Sequence, residues 1–319
     1  MSSVTYQGRS YDCSSQSILD CLTAHGVHVP SSCRSGVCQS CMMRASKGAV
    51  PEKSQAGLRP TLAAQNYFLA CSCVPEGDME VTLPDSGFGT LSATVTKTTR
   101  LNDDTLGLWL RPSRQYEYRA GQFIRLHKDE DNSRCYSLAS VPELDGELFL
   151  NIRRTPGGLV SNWVHESLGA GDQVEISEAM GQCFYLPGNP EKNMLLVGTG
   201  SGLSPLYGIA RDALLRGHLG EIHLYHGSRH RGGLYLEAEL AQLMGRHKNF
   251  NYVPCTSGDE PAAGCLPGRA LDLALARHQD LGGWRVYLCG NPDMVNSAKR
   301  KTFFAGASLK DIHADPFGF

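Results

Sequence analysis

Cysteine is the most chemically suggestive residue type in this 319-residue chain: of twelve, several are spaced to act together. Cys33, Cys38 and Cys41 follow a C-x4-C-x2-C pattern, and Cys71 stands further on in the run Phe68-Leu69-Ala70-Cys71. A tight loop supplying three thiolates, with a separate element supplying a fourth, is the arrangement that holds a pair of irons. Gly36 lets such a loop turn sharply, and the small neighbours Ser35 and Ser40 leave room for backbone N–H groups to approach the sulfurs and tune the potential. A structural zinc site is the alternative, but zinc ribbons carry two close cysteine pairs, whereas here one C-x2-C pair is followed by a distant single cysteine. Cys73 would face the same side of an extended segment as Cys71, so geometry leaves both open as the fourth ligand. Cys13, Cys21, Cys135, Cys183, Cys255 and Cys265 show no ligand spacing and read as small buried hydrophobes.

A second constellation is built from glycine. The apolar run Met194-Leu195-Leu196-Val197 leads directly into Gly198-Thr199-Gly200-Ser201-Gly202-Leu203-Ser204-Pro205 and then into helical sequence. A glycine turn between a strand and a helix N-terminus offers backbone N–H groups and the positive end of the helix dipole to a pyrophosphate. The plain alternative is a glycine-rich turn that binds nothing. After the strand-like run from Ile222 to His226 there is no acid to take a ribose hydroxyl, and Ser228, Arg229 and Arg231 stand nearby, which by the general rule leans toward a 2′-phosphate.

The elements that must position these groups fall into thirds, divided at Leu83-Pro84-Asp85-Ser86-Gly87-Phe88-Gly89 and at Leu186-Pro187-Gly188-Asn189-Pro190, both rich in turn residues. The first third opens with a short strand, a turn at Gly8 and an amphipathic segment from about Ser15 to His25 with Ile18, Leu19 and Leu22 on one face. In the middle third, short alternating runs such as Ala93-Thr94-Val95-Thr96 and Leu148-Phe149-Leu150-Asn151-Ile152 predict an antiparallel barrel. In the last third, apolar strands at 193–197, 222–225 and 285–288 alternate with helical stretches at 206–215 and 236–244, the signature of a parallel sheet. A formal net charge of -2 gives no general attraction to nucleic acid or anionic membranes. No apolar run is long enough to span a bilayer and the first residues carry no leader pattern, so a cytoplasmic protein is expected.

Three further stretches carry a family resemblance: Ala120-Gly121-Gln122-Phe123, Arg134-Cys135-Tyr136-Ser137 and Gly157-Gly158-Leu159-Val160-Ser161. In this order, between a plant-type ferredoxin spacing and a nucleotide turn, they resemble the flavin motifs of the ferredoxin-NADP reductase superfamily. Val286-Tyr287-Leu288-Cys289-Gly290-Asn291-Pro292-Asp293-Met294 is similar to its C-G-x-x-x-M segment, and Ile312-His313-Ala314-Asp315-Pro316-Phe317 to its C-terminal segment. The domain order resembles the reductase components of bacterial multicomponent oxygenases, such as those of benzoate dioxygenase, phenol hydroxylase and soluble methane monooxygenase.

The resemblance implies a β-grasp [2Fe-2S] ferredoxin domain over 1–88, an antiparallel FAD barrel over 89–188 and an α/β NAD-binding domain over 189–319. It selects Cys71 over Cys73 as fourth ligand beside Cys33, Cys38 and Cys41. It places Arg134 on the flavin pyrophosphate, Tyr136 against the flavin and Ser137 at the redox-active ring edge. Asn151, Ile152 and Arg153, with Gly158, Leu159, Val160 and Ser161, would close over the pyrophosphate. Gly198, Thr199, Gly200, Ser201, Gly202 and Pro205 would receive the nicotinamide nucleotide, with Ser228 and Arg229 at its far end. Cys289, Gly290 and Met294 would sit by the nicotinamide, and Phe317 near the flavin. Ser137 and Cys289 are the expected catalytic residues, Cys289 by positioning the nicotinamide and not by nucleophilic attack. Ser257-Gly258 and Arg269-Ala270-Leu271 lack an arginine and a tyrosine that plant-type reductases use for the 2′-phosphate, and Gly227-Ser228-Arg229 resembles NADH-using oxygenase reductases, so NADH is favoured over NADPH. The implied activity moves electrons from NADH through FAD and a [2Fe-2S] cluster to a terminal oxygenase or another one-electron acceptor protein. A deoxysugar dehydratase-reductase customer and a redox sensor without turnover are the alternatives.

Overall fold

The computed structural model describes residues 2–13, 15–31, 33–34, 36, 39–84, 90–258 and 263–317, so Cys38 lies outside the described residues. The chain divides into two compact units, Met1–Phe88 and Gly89–Phe319.

The first unit contains β1 (Ser3–Tyr6), β2 (Arg9–Asp12), α1 (Ile18–Ala24), β3 (Met42–Lys47), α2 (Pro60–Ala63), β4 (Tyr67–Leu69) and β5 (Met79–Thr82). Its sheet runs β2-β1-β5-β3-β4 and is mixed, with β1 and β5 parallel and the other pairs antiparallel. The turn expected at Gly8 is there, with Gln7 and Gly8 both in the left-handed region. Helix α1 starts where Ser17 Oγ accepts from Asp20 N at 3.1 Å, and it buries Ile18, Leu19, Cys21 and Leu22 against Met43, Phe68 and Val81. That is the apolar face read from the sequence. The reading of the spare cysteines as small buried hydrophobes fails at three of them: Cys135 is exposed, and Cys13 and Cys21 are joined in a disulfide, with Cα atoms 5.4 Å apart. A search for ligand spacing could not find the pair, because the chain reversal between β2 and α1 brings the two residues together.

The second unit begins with β6 (Thr90–Arg100), β7 (Thr105–Pro112), β8 (Phe123–His127), β9 (Ser133–Ser137), α3 (Pro142–Asp145), β10 (Leu148–Arg153), α4 (Leu159–Ser167) and β11 (Gln173–Ser177). The strands form an antiparallel sheet in the order β10-β7-β6-β11-β8-β9. A bridge between Leu138 and Leu150 joins its two ends and closes the barrel. Alternation accounts for its filling: Val95, Leu108, Leu110, Ile124, Leu126, Leu150 and Ile176 are fully buried inside it.

The rest of the unit comprises β12 (Met194–Thr199), α5 (Leu203–Leu215), β13 (Ile222–Ser228), α6 (Glu237–Arg246), β14 (Phe250–Thr256), β15 (Leu266–Pro267), α7 (Ala270–Arg277), β16 (Arg285–Gly290), α8 (Pro292–Phe304) and β17 (Ile312–Pro316). All strands are parallel, in the order β15-β14-β13-β12-β16-β17. One core joins this sheet to the barrel, since Ala139, Phe149, Cys183 and Tyr185 pack with Met194, Leu196, Leu206 and Tyr287. Arg211 on α5 reinforces the junction with two hydrogen bonds to Asp145 at 2.8 and 2.7 Å. No helix among the described residues is long and apolar enough to cross a membrane.

Candidate functional site

In the first unit, Cys41 begins the segment leading into β3 and Cys71 follows β4. They meet because those strands pair in register from Met42 with Leu69 to Arg44 with Tyr67, and Ala70 N donates to Cys41 O at 3.0 Å. Burial, with Cys71 alongside, pushes the Cys41 thiol up to about 11. A thiol held protonated by burial next to a second thiol suits a site that a cation completes, because metal binding ionises coordinating thiols. Cys33 is exposed, in the stretch where Gly36 turns at φ +77°. With Cys38 outside the described residues, no group of three metal-binding side chains assembles among the described ones. Cys73 is buried and its thiol is likewise raised to about 11 by desolvation.

In the second unit, a cavity of about 1440 Å³ runs from the barrel to the carboxyl ends of the parallel strands. Of the expected cofactor residues, Arg134, Tyr136, Ser137, Asn151, Arg153, Gly158, Leu159, Val160, Ser161, Thr199, Gly200, Ser201, Ser228, Arg229, Met294 and Phe317 line it. β9 carries the Arg134 group, β10 delivers Asn151 and Arg153, and α4 starts at the Gly158 turn. Ile152, Gly198, Gly202, Pro205, Cys289 and Gly290 stand behind the wall. Ile152 points into the barrel core, and a Cβ on Gly202 would lie 2.2 Å from Cys289 O, so the glycine turn packs directly on the end of β16. Gly200 has φ +53° and its carbonyl accepts from Tyr235 Oη at 3.3 Å.

The polar chemistry of the wall suits a bound nucleotide. Among the described residues, Asn151 Oδ1 and Nδ2 and Thr199 Oγ1 are buried without a well-formed hydrogen bond, Asn151 lying beside the Tyr235 hydroxyl. Among the described residues, Arg134 Nη1 donates to its neighbour Ser133 O at 2.8 Å, and the exposed guanidinium lines the cavity. Ser137 Oγ donates to Asp315 Oδ2 at 3.3 Å, while Ser204 Oγ donates to Ser137 O at 2.9 Å. Burial raises the Asp315 carboxyl to about 6, opposed by the Ser137 hydrogen bond. Cys289 is fully buried with its Sγ 3.7 Å from Cys183 Sγ, and desolvation holds its thiol well above the ordinary range. It is therefore a neutral thiol, in keeping with a packing role and unlike an activated nucleophile.

Sequence reasoning missed Asp315, Ser204, Thr155 and Asp272 as wall residues. Only Ser204 and Asp315 lay inside quoted motifs. Asp315 is carried to the wall by the register of its strand, since β17 pairs it with Cys289.

A mixed ferredoxin sheet, an antiparallel barrel and a parallel nucleotide sheet together define an iron–sulfur flavoprotein oxidoreductase. Family models agree along the chain: the 2Fe-2S iron-sulfur cluster binding domain matches residues 4–76, the oxidoreductase FAD-binding domain 92–185 and the oxidoreductase NAD-binding domain 196–300. The reductase subunit of an aromatic O-demethylase from Amycolatopsis sp. is 34% identical, with 98% of each chain covered. The ferredoxin–NAD(P)+ reductase component of the naphthalene 1,2-dioxygenase/salicylate 5-hydroxylase systems of Ralstonia sp. is 33% identical over 94% of this chain and 93% of its own. Among solved structures, the Amycolatopsis cytochrome P450 reductase superposes with a TM-score of 0.69 at 33% identity, covering 99% of both chains. The chain belongs to the three-domain 2Fe-2S/FAD/NAD reductase components of bacterial multicomponent oxygenases. It carries electrons from NAD(P)H through FAD and a [2Fe-2S] cluster.

Proposed function

We propose that this chain takes its electrons preferentially from NADH and delivers them to a separate terminal oxygenase in the cytoplasm, where the nicotinamide pool lies. Three functional parts, 1–88, 89–188 and 189–319, carry the cluster, the flavin and the nicotinamide nucleotide. When bound, the flavin supplies the step-down from a two-electron donor to a one-electron cluster. The residues of the chain bind and orient. Arg134 meets the flavin pyrophosphate with its fork, Tyr136 covers the ring system, and Ser137 holds the ring edge while fixed by Ser204. Asn151, Arg153 and the Gly158–Ser161 turn close over the phosphates, Ile152 anchoring that strand from the barrel core. The 198–202 turn, continued by Pro205, receives the donor, and Cys289, Gly290 and Met294 with Phe317 shape the nicotinamide end. Cys33, Cys38, Cys41 and Cys71 hold the irons.

The observation that carries this reading is one cavity lined from the barrel by Arg134, Tyr136, Ser137 and Arg153 and from the parallel sheet by Thr199, Gly200 and Ser201. Support for NADH comes from the far end of that cavity beside Ser228 and Arg229. There Ser257-Gly258 and Arg269-Ala270-Leu271 lack the arginine and tyrosine that plant-type reductases use for a 2′-phosphate, and Asp272, ion-paired to Lys301 Nζ at 2.8 Å, adds a carboxylate to the wall.

The test is an anaerobic titration of purified protein with NADH and NADPH followed in the visible range. Flavin and cluster bands should bleach with far less NADH than NADPH. Cys38→Ser should remove the cluster bands and leave flavin reduction by NADH intact; loss of both would overturn the modular reading. Supply of electrons to a co-encoded oxygenase, measured as product formed per NADH consumed, separates the proposed partner from a non-oxygenase acceptor.

A further inference from the structure

The first unit contains a covalent link that electron transfer does not require. Cys13 follows β2 and Cys21 lies on the inner face of α1; both are fully buried and are joined. The link spans a sequence separation of 8 and ties the end of β2 directly to the first half of α1, so it constrains the setting of that helix. The first turn of α1 in turn holds the segment around a ligand cysteine. Ile18 N donates to Cys73 O at 2.8 Å and Leu19 N donates to Ala70 O at 3.1 Å, one bond on either side of Cys71. Ala70 N then donates to Cys41 O. A continuous path of covalent and backbone hydrogen bonds thus runs from the Cys13–Cys21 link through α1 to Cys71 and Cys41.

We propose that Cys13 and Cys21 are a reversible dithiol–disulfide modification site, and that the closed form fastens the Cys71 segment and slows loss of the cluster. The second half rests on the iron–sulfur reading of Cys41 and Cys71. The chemistry is thiol–disulfide exchange with a small disulfide of the glutathione class. One protein thiolate attacks the small disulfide and releases one small thiol. The second protein thiolate then displaces the other, so one S–S bond forms, one breaks, and two protons pass from the protein thiols to the two small thiols. A reducing cytoplasm keeps such pairs open, and an oxidising shift closes them, which is the usual role of disulfides outside secreted proteins. Burial of both sulfurs requires α1 to lift before exchange, so closure and opening are slow in the folded protein and fast once it is denatured.

The experiment uses the full-length, cluster-loaded protein equilibrated with oxidised or reduced glutathione. Thiols are then alkylated in denaturant and the peptides mapped by mass, while parallel samples are mixed with an iron chelator and the decay of the cluster absorbance is timed. Residues 13 and 21 should be cross-linked after oxidised glutathione and alkylated after reduced glutathione, and the cross-linked sample should lose its cluster several-fold more slowly. Cys13→Ala should abolish the difference between the two treatments. Alkylation of both residues after oxidised glutathione would overturn the couple, and equal decay rates in the two forms would overturn its effect on the cluster. A preparation that forms the cross-link but binds no iron would sink the cluster reading, and with it the protective effect, while leaving the couple standing.

Discussion

Asp315 has a carboxyl group whose ionisation costs more in the folded chain than in water, because it is half-buried and desolvated at the end of β17, where it accepts from Ser137. Its value rises from 3.8 to about 6, so between those limits the folded state binds more protons than the unfolded state. The stability it contributes is fully present below 3.8 and is lost as pH rises through about 6. Urea denaturation of wild type and Asp315→Asn on both sides of that window should therefore show a difference that shifts in favour of the variant as pH rises; a pH-independent difference would refute the assignment. Ser204 is the other residue whose weight emerges only from the structure. Ser204→Ala leaves the Ser137 carbonyl without its buried donor, and should cost about 1–3 kcal/mol by calorimetry while slowing NADH-driven flavin bleaching. Neither role was legible in the sequence. Ser204 opens α5 just after the glycine turn, and nothing in its neighbours tells that its hydroxyl faces a strand 67 residues earlier.

At the scale of elements, periodicity succeeded where one face decides the outcome. The alternation in β6 and β10 and the apolar runs of β12, β13 and β16 identify barrel and parallel sheet, since each side chain's face is fixed by period two or by burial on both sides. It failed where two elements meet by chain reversal, as at Cys13 and Cys21. It also could not foresee which glycines would face ligand and which would face protein. Gly202 belongs to the second kind: its missing Cβ would collide with Cys289 O at 2.2 Å. Gly202→Ala should push the turn away from β16, cost about 1–3 kcal/mol through overpacking, and raise the KM for NADH while leaving the flavin spectrum unchanged. An unchanged KM would mean that the turn does not hold the nucleotide.

At the scale of the whole molecule, the division at Met1–Phe88 and Gly89–Phe319 puts the cysteines proposed to hold the cluster in one compact unit and the cavity proposed to hold the nucleotides in the other. A fragment covering 89–319 should therefore fold, bind FAD and pass electrons from NADH to ferricyanide, yet show no iron by metal analysis. A fragment unable to retain flavin would contradict the independence of the two units.

The barrel and the parallel sheet are matched by separate family models, but they bury one set of side chains between them, with Phe149 and Tyr185 interleaved among Met194, Leu196 and Tyr287. Neither layer could shed its half of that interior without exposing the other's, so cooperativity extends across both. On heating, residues 89–319 ought to melt in a single endotherm whose calorimetric and van't Hoff enthalpies agree, and a swinging hinge between the two layers is not a motion this architecture can make cheaply.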